Sequence, residues 1–327
     1  MAYIEVILGL VILVFAGDFL VRGAVALAKK MGISTLVIGL TIVAFGTSAP
    51  ELVVAIDAVI IGAPALALGN VVGSNIANIL LVIGLPAIIY PISCAAPRLT
   101  RNLMIMLAAT LIFIFMGMAT KGTYSAPQGF ILLALLTMFL VYSGMRAKAH
   151  PEAVDPLEEL DGVCETPQNR GFSIMLIIAG MIGLGFGADL LVEGAVVIAR
   201  DWGISEEVIG LTLLAIGTSL PELVTAVVAA VRRHHDVIVG NVIGSNLFNL
   251  LAVMGAASLF GDIPIPESFM KVELWVMLAA SIALLPYCHY KQSVGRMSGF
   301  GFLAAYVLYM AYLVQSHASS TAIVDVL

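Results

Sequence analysis

The chain has 327 residues, of which 61% are hydrophobic and 11% are charged, and its formal net charge is −6. A soluble protein carries roughly a quarter charged residues, so this composition excludes a soluble globular domain. No basic stripe is present, which excludes nucleic acid as a partner. Apolar runs of about 20 residues recur, each long enough to cross a bilayer as a helix. The sequence therefore predicts an all-α polytopic membrane protein whose solvent is the lipid bilayer.

Ten transmembrane helices are predicted in chain order. They fall near residues 3–28, 35–61, 66–90, 102–119, 127–145, 172–199, 206–231, 237–260, 270–289 and 298–315. The longest polar gap, 146–171, contains six acidic residues and three prolines, which is typical of a solvated linker. The linker separates a first five-helix repeat, 1–145, from a second, 172–327.

Most lysines and arginines fall on one side of this ten-helix arrangement. That side contains Lys29, Lys30, Arg98, Arg101, Arg146, Lys148, Arg170, Arg232, Arg233, Lys291 and Arg296. Only Lys121, Arg200 and Lys271 fall on the other side. Because positive residues are enriched in cytoplasmic loops, we expect the first side and the acidic linker to be cytoplasmic and both termini to lie outside.

A shift of 171 residues aligns the second half of the chain with the first. The motif G-T-S-A-P-E-L at 46–52 recurs as G-T-S-L-P-E-L at 217–223, and G-N-V-V-G-S-N-I-A-N at 69–78 recurs as G-N-V-I-G-S-N-L-F-N at 240–249. Since each repeat has an odd number of spans, the second repeat must be inverted in the membrane. Inverted repeats are typical of secondary transporters, whose sites lie near the midplane where the repeats meet.

Each G-T-S-x-P-E motif places a proline and a glutamate inside an apolar run. Pro50 lacks an N–H, so nearby carbonyls such as that of Ala44 are expected to lose helical partners. Irregular backbone persists at membrane depth only where protein, water or an ion satisfies it. Thr47 and Ser48 can share one helix face with Glu51. The second motif repeats the set with Ala215, Thr218, Ser219, Pro221 and Glu222.

The G-N-V-x-G-S-N motifs supply two further polar stripes. In the first, Asn70, Ser74 and Asn78 are spaced by four residues; the second has Asn241, Ser245 and Asn249. Glycines beside them, Gly69, Gly73, Gly240 and Gly244, allow close helix approach. The outer asparagines, Asn70, Asn75, Asn241 and Asn246, could bind an ion or hydrogen-bond between helices.

The four polar faces contain oxygen donors and neither histidine nor cysteine, which favours hard cations such as sodium, calcium or a proton on a carboxylate. Two glutamates can neutralise one divalent cation. Each buried charge costs roughly 2.5–3.5 kcal/mol, so a charge pair without an ion is unfavourable. Sodium or protons should therefore replace calcium when it leaves. Asp18 and Asp189, at equivalent positions, either contribute to the ion path and sliding or are buried acids bonded to a neighbouring helix.

At these motifs the sequence resembles the cation/calcium exchanger superfamily, particularly prokaryotic sodium/calcium antiporters. The resemblance covers both repeats and implies that Glu51 and Glu222 are the central cation ligands. It implies further ligands at Thr47, Ser48, Ser74, Asn78, Thr218, Ser219 and Ser245, and at the carbonyls of Ala44 and Ala215. It also implies that the first and sixth helices slide as a pair to alternate access.

One position departs from the pattern. Many members have an aspartate where this chain has Asn249, so the expected site keeps two carboxylates with Asn249 as a neutral donor. This leaves the sodium stoichiometry open and argues against a potassium requirement.

The sequence as a whole predicts an antiporter that exchanges sodium for calcium by alternating access. It is not expected to be an enzyme or to need a cofactor, and a monomer in a bacterial inner membrane is the expected form. A proton-coupled calcium (cation) exchanger is the main alternative and would depend on pH without depending on sodium. A cation channel would show uncoupled flux. An intramembrane enzyme is disfavoured because no paired nucleophile or catalytic histidine accompanies the glutamates.

Overall fold

Apolar segments in lipid fold as helices because the bilayer core offers no hydrogen-bond partners to the backbone. The computed structural model describes residues 1–120, 122–149, 169–202 and 215–324. Its helices are α1 Ala2–Met31, α2 Thr35–Thr47, α3 Ala49–Ile60, α4 Pro64–Ile89, α5 Leu99–Ala119, α6 Ala126–Ala149, α7 Arg170–Asp201, α8 Leu220–Val231, α9 His235–Ala257, α10 Phe269–His289 and α11 Arg296–Val324. A short helical segment, Ala215–Gly217, precedes α8.

Eight of the described helices are long and apolar enough to span a bilayer, and the bent pair α2 and α3 makes a ninth. These nine coincide with nine of the ten predicted spans. The seventh prediction, 206–231, is represented by α8, and its first part lies outside the described residues. The all-α membrane fold is therefore confirmed, with a count consistent with ten.

The helices divide into a buried centre and a lipid-facing periphery. Of the most apolar window in each helix, 94% is buried in α9 and 72% in α4, but only 17% in α6 and in α11. Peripheral helices expose large apolar side chains such as Met138 and Leu308, as expected where lipid is the solvent. The two G-N-V-x-G-S-N motifs thus lie on the central helices.

Helices α1 and α7 pack on each other in antiparallel orientation through glycines. A Cβ added at Gly9 would lie 2.7 Å from the Leu191 amide nitrogen, and one added at Gly180 would lie 2.7 Å from that of Leu20. Gly9 and Gly180 are equivalent under the 171-residue shift, as are Leu20 and Leu191. Because neither glycine has room for a side chain, the two backbones are in direct contact at both points.

Two short antiparallel ladders join loops of opposite repeats. In one, β1 (Ile92–Ser93) pairs with β4 (Ser293–Val294). In the other, β2 (Thr123–Tyr124) pairs with β3 (Ile263–Pro264). The first ladder lies between loops that carry the predicted cytoplasmic arginines and lysines, and the second lies between loops of the opposite side.

A hydrogen bond and two contacts to an aromatic ring join the basic loops at one face of the protein. The Arg170 guanidinium donates to the Lys30 carbonyl at 3.2 Å. The Arg233 guanidinium lies 5.4 Å from the centre of the Tyr90 ring, on which His235 also stacks. These contacts agree with the predicted grouping of loops on one side of the membrane.

Candidate ion-binding site

The two G-T-S-x-P-E motifs break their helices in the same way. Ser48, between α2 and α3, has φ −87° and ψ 7°, and Ser219, before α8, has φ −87° and ψ 2°. Pro50 and Pro221 occupy the first turn of the following helix, where a missing N–H costs nothing. The axes of α2 and α3 differ by 42°. The predicted kink is thus confirmed as a break at the serine, two residues before the proline.

Each break places a fully buried glutamate at the start of the next helix. Glu51 and Glu222 are both 0% exposed. The Oε1 atom of Glu222 accepts hydrogen bonds from the Ser48 hydroxyl at 3.1 Å and the Ser245 hydroxyl at 3.4 Å. Both Glu51 oxygens and Oε2 of Glu222 have no hydrogen-bond partner among the described residues. Within that part of the chain, three buried carboxylate oxygens therefore lack the hydrogen bonds that burial normally demands.

The threonines of the motifs connect the two repeats symmetrically. The Thr47 hydroxyl donates to Oδ1 of Asn241 at 3.2 Å and lies 3.3 Å from the Ser245 hydroxyl. In the equivalent contacts, Thr218 donates to Oδ1 of Asn70 at 3.0 Å and its hydroxyl lies 3.5 Å from that of Ser74. Each broken helix thus packs its hydroxyl group on the polar stripe of the other repeat.

The central asparagines hydrogen-bond between helices. Asn78 donates from Nδ2 to Oδ1 of Asn246 at 3.1 Å, and Asn246 donates to the Asn75 carbonyl at 3.4 Å. With the threonine bonds of Asn70 and Asn241, this confirms inter-helix bonding for Asn70, Asn241 and Asn246. The Asn75 amide instead donates to the Val71 carbonyl of its own helix at 2.8 Å. The Oδ1 atom of Asn78 has no partner among the described residues.

Asn249 differs from its equivalent, Asn78. It begins a π-helical stretch, Asn249–Val253, and both of its buried amide atoms lack partners in the part of the chain that is described. Single π turns recur at functional sites because they reorient side chains within a helix. Asn249 therefore presents an uncharged amide inside the molecule, and its role as a neutral ion ligand stays a prediction.

The expectation of a free carbonyl at Ala44 needs correction. The Ala44 carbonyl accepts the Ser48 N–H at 3.0 Å and lies 3.4 Å from the Thr47 hydroxyl. The helix ends before the proline, so this last amide is still available to Ala44. In the second motif the Ser219 N–H donates to Ile216, at 3.0 Å, one residue nearer than the equivalent Ala215.

The close approach predicted at the glycines is confirmed in the second repeat. A Cβ added at Gly240 would lie 2.8 Å from the Leu36 carbonyl oxygen, and one at Gly244 would lie 2.6 Å from that of Leu40. The residues equivalent to Leu36 and Leu40 are at 207 and 211, outside the described residues. For Gly69 and Gly73 the close approach therefore stays a prediction.

The structure buries nearly every predicted ligand side chain between the repeats. Thr47, Ser48, Ser245 and Glu222 form one connected network, and Ser74 pairs with Thr218. Glu51, Ser219 and Asn249 are buried nearby on the same helices without hydrogen bonds of their side chains to described residues. Sequence reasoning missed Thr225, three residues after Glu222, which is 0% exposed and whose hydroxyl has no hydrogen-bond partner among the described residues. Its equivalent is Val54, so a search by symmetry could not find it.

The donor set consists of two carboxylates, several hydroxyls and amide oxygens. Within the described ranges, no group of three or more His, Cys, Asp or Glu residues could hold a metal ion. The arrangement suits a hard cation that exchanges its hydration shell for hydroxyl and carboxylate oxygens.

Inverted repeats, broken helices and buried acids where the repeats meet define the class of secondary transporters that bind ions inside the bilayer. A family model described as sodium/calcium exchanger protein matches residues 1–145 and 172–315. The chain belongs to this family, which confirms the predicted membership and indicates a transporter.

Relatives extend over almost the whole chain. The putative antiporter CaxA of Alkalimonas amylolytica is 38% identical over 87% of this chain and 88% of its own. The inner membrane protein YrbG of Escherichia coli is 34% identical, over 94% of this chain and 95% of its own. A structure of the sodium-calcium exchanger NCX_Mj soaked with 10 mM Na⁺ and 10 mM Sr²⁺ matches with a TM-score of 0.81 at 35% identity, covering 95% of this chain and 97% of that one.

Proposed function

We propose that this protein is an antiporter that exchanges sodium for calcium across the membrane by alternating access. The observation that carries the proposal is the pair of buried glutamates at the interface of two inverted repeats, three of whose four oxygens have no hydrogen-bond partner among the described residues. Family membership and the similarity to a sodium-calcium exchanger structure support it.

Charge balance explains why exchange would be coupled. Glu51 and Glu222 together neutralise one calcium ion. When that ion leaves, two buried negative charges remain, and each costs roughly 2.5–3.5 kcal/mol at the bilayer centre. Sodium ions that enter the same site remove this cost, so the empty site is disfavoured and one ion replaces the other.

The hydroxyl and amide groups complete the proposed site. Ser48 and Ser245 now donate to Glu222, and each hydroxyl keeps lone pairs that can turn to a cation. Thr47, Thr218, Ser74 and Ser219 supply further hydroxyl oxygens, and Asn78 and Asn249 supply amide oxygens. The backbone oxygens of Ala44 and Ala215 complete the proposed set, although that of Ala44 already accepts one backbone hydrogen bond.

The orientation in the membrane follows from charge. The face at which the basic loops meet is proposed to be cytoplasmic because positive residues are retained on that side. Both ends of the described chain then lie outside. The similarity to an inner membrane protein of Escherichia coli supports placement in a bacterial inner membrane.

The test is calcium uptake into proteoliposomes that are loaded with sodium and diluted into sodium-free medium. Wild-type protein should accumulate calcium only when the sodium gradient is present. Glu51→Gln and Glu222→Gln should each abolish uptake, because each removes half of the charge that neutralises the ion. Asp189→Asn, which removes an exposed carboxylate from α7, is the matched control and should retain uptake.

The rival functions predict different results in the same vesicles. If a pH gradient without sodium drives uptake equally well, the coupling ion is the proton and not sodium. Calcium flux that continues without any counter-ion would indicate a channel. No calcium movement under either gradient would refute the calcium half of the proposal.

A further inference from the structure

A group of three charges joins α1 to the end of α8. The Arg232 guanidinium donates to the Asp18 carboxylate through Nε and also contacts it through Nη2. Arg22, one turn further along α1, lies 3.7 Å from the other carboxylate oxygen. The side chains of Asp18 and Arg232 are 20% and 22% exposed. A two-contact, mostly buried pair of this kind is stronger than a solvated surface ion pair.

The ion group fixes the position of α1 along a helix of the ion site. Arg232 directly follows α8, whose first turn carries Glu222, about 15 Å away along the helix axis. Between these two residues, Gly17 packs on α8, where an added Cβ would lie 3.2 Å from Val224. A displacement of α1 by one helical turn, about 5.4 Å, would therefore separate Asp18 from Arg232 beyond hydrogen-bond range.

The other repeat cannot form the same group. Under the 171-residue shift, Asp18 corresponds to Asp189, but Arg22 corresponds to Glu193 and Arg232 to Ile61. The α7 equivalent therefore places a second acid where α1 has a base, and the end of α3 offers an apolar side chain. Because this asymmetry is one of residue identity, it is present in every conformation of the protein.

We propose that Asp18 and Arg232 form a latch that holds α1 on α8 in one of the two conformations of the transport cycle and so sets the balance between them. The inference rests on the alternating access of the proposed function. In an inverted-repeat transporter the two conformations exchange the roles of the repeats. The exchanged state brings α7 into the position of α1, and there the latch is missing.

Neighbouring titratable groups leave the latch intact near neutral pH. Burial, with contributions from Lys29, Arg232 and His235, lowers the pKa of His234 to about 4. His234 is therefore uncharged under ordinary conditions and does not compete with Arg232 for the Asp18 carboxylate. Asp18 and Arg232 are positioning residues, since the observed side-chain contacts of Asp18 are with the two arginines and lie outside the ion site.

The test compares Asp18→Asn with Asp189→Asn in the full-length protein. The apparent KM for calcium is measured at both faces, in everted membrane vesicles and in spheroplasts. Loss of the latch changes the fraction of protein open to each face, so Asp18→Asn should move the two KM values in opposite directions and change their ratio about three- to tenfold. Asp189→Asn should leave the ratio unchanged.

Hydrogen exchange gives a second readout that does not depend on transport. In Asp18→Asn, amides at the end of α8 should exchange about tenfold faster, with no such change in Asp189→Asn. Arg232→Lys keeps the charge but loses the two-contact geometry, so it should give the same shifts at smaller size. It also keeps the latch testable if Asp18→Asn folds poorly.

The outcomes separate the latch from the transport proposal. An unchanged KM ratio and unchanged exchange in folded Asp18→Asn and Arg232→Lys would overturn the latch, whatever ion is transported. Wild-type protein that exchanges no calcium would refute the proposed function, and the hydrogen-exchange comparison would still decide whether Asp18 holds α1 on α8.

Discussion

The crossing of α1 and α7 is symmetric, whereas the ion site between the repeats is not. At the crossing, Gly9 and Gly180 meet equivalent atoms of the opposite helix at the same 2.7 Å. In the site, Glu222 accepts two hydrogen bonds, and the equivalent Glu51 accepts none from the described residues. Near-identical motifs therefore have different surroundings in the described part of the molecule. Because the motif sequences are almost identical, this difference lies in how the surrounding helices pack on each glutamate.

The largest effect is expected from removing either carboxylate. Glu51→Gln and Glu222→Gln should each lower calcium affinity about 100-fold or more, because a buried divalent ion would lose half of its neutralising charge. Isothermal titration of purified protein measures this. Wild-type affinity in either variant would contradict the assignment of that glutamate.

In ion-free buffer, the same two variants test whether Glu51 and Glu222 have different surroundings. Glu51→Gln should raise the free energy of unfolding by roughly 1–3 kcal/mol more than Glu222→Gln does, since in the described part of the chain Glu222 has hydrogen-bond donors and Glu51 has none. Thermal unfolding in detergent provides the measurement. Equal increases in the free energy of unfolding would mean that the two carboxylates are equivalent in the ion-free protein.

A smaller effect is expected from the serines at the helix breaks. Ser48 donates to Glu222, whereas the buried Ser219 hydroxyl has no partner among the described residues. Ser48→Ala should weaken calcium binding about tenfold, as hydrogen bonds to charged groups predict. Ser219→Ala, the equivalent substitution in the other repeat, should weaken it by only about threefold, because it removes a proposed hydroxyl ligand but no observed hydrogen bond to a carboxylate. The reverse order would place the alternate conformation in the resting state.

The smallest difference between equivalent substitutions is expected at Gly9 and Gly180, where α1 crosses α7. Gly9→Ala and Gly180→Ala should each destabilise the protein by about 1–3 kcal/mol, because the added methyl group would overlap backbone atoms. Their costs should be equal within the error of thermal unfolding. Gly185→Ala, on the same helix as Gly180 but with nothing within 4 Å of its Cβ position, should be neutral or slightly stabilising. Unequal costs at Gly9 and Gly180 would break the symmetry of the crossing.

Much of the fold was predictable because membrane physics limits the choices. Uniform apolar runs predict the spans, and the repeated motifs predict which helices meet. A proline and a glutamate inside such a run predict a broken helix with an oxygen-rich face. The break at Ser48, and not at Pro50, follows from the amide of Ser48, which still reaches Ala44.

The remaining features depend on distant contacts that no local pattern encodes. Asp18 was predicted either to line the ion path or to bond to a neighbouring helix, and the second alternative is confirmed through Arg232, 214 residues away. The inequality of Glu51 and Glu222 could not be predicted, because their motifs are almost identical. The roles of the predicted ion ligands stay predictions until the variants are measured.

The short turn between α1 and α2 limits how far these two helices can move independently. Only Gly32, Ile33 and Ser34 separate them, and Gly32 has the left-handed backbone, φ 65°, that ends α1. Three extended residues span at most about 11 Å, so the turn limits how far α1 can move before α2 must move with it. In the proposed cycle, a movement of α1 beyond this limit would displace α2 as well. Because the helix break at Ser48 separates α2 from α3, such a displacement would reach the Thr47 side of the proposed ion site before the Glu51 side.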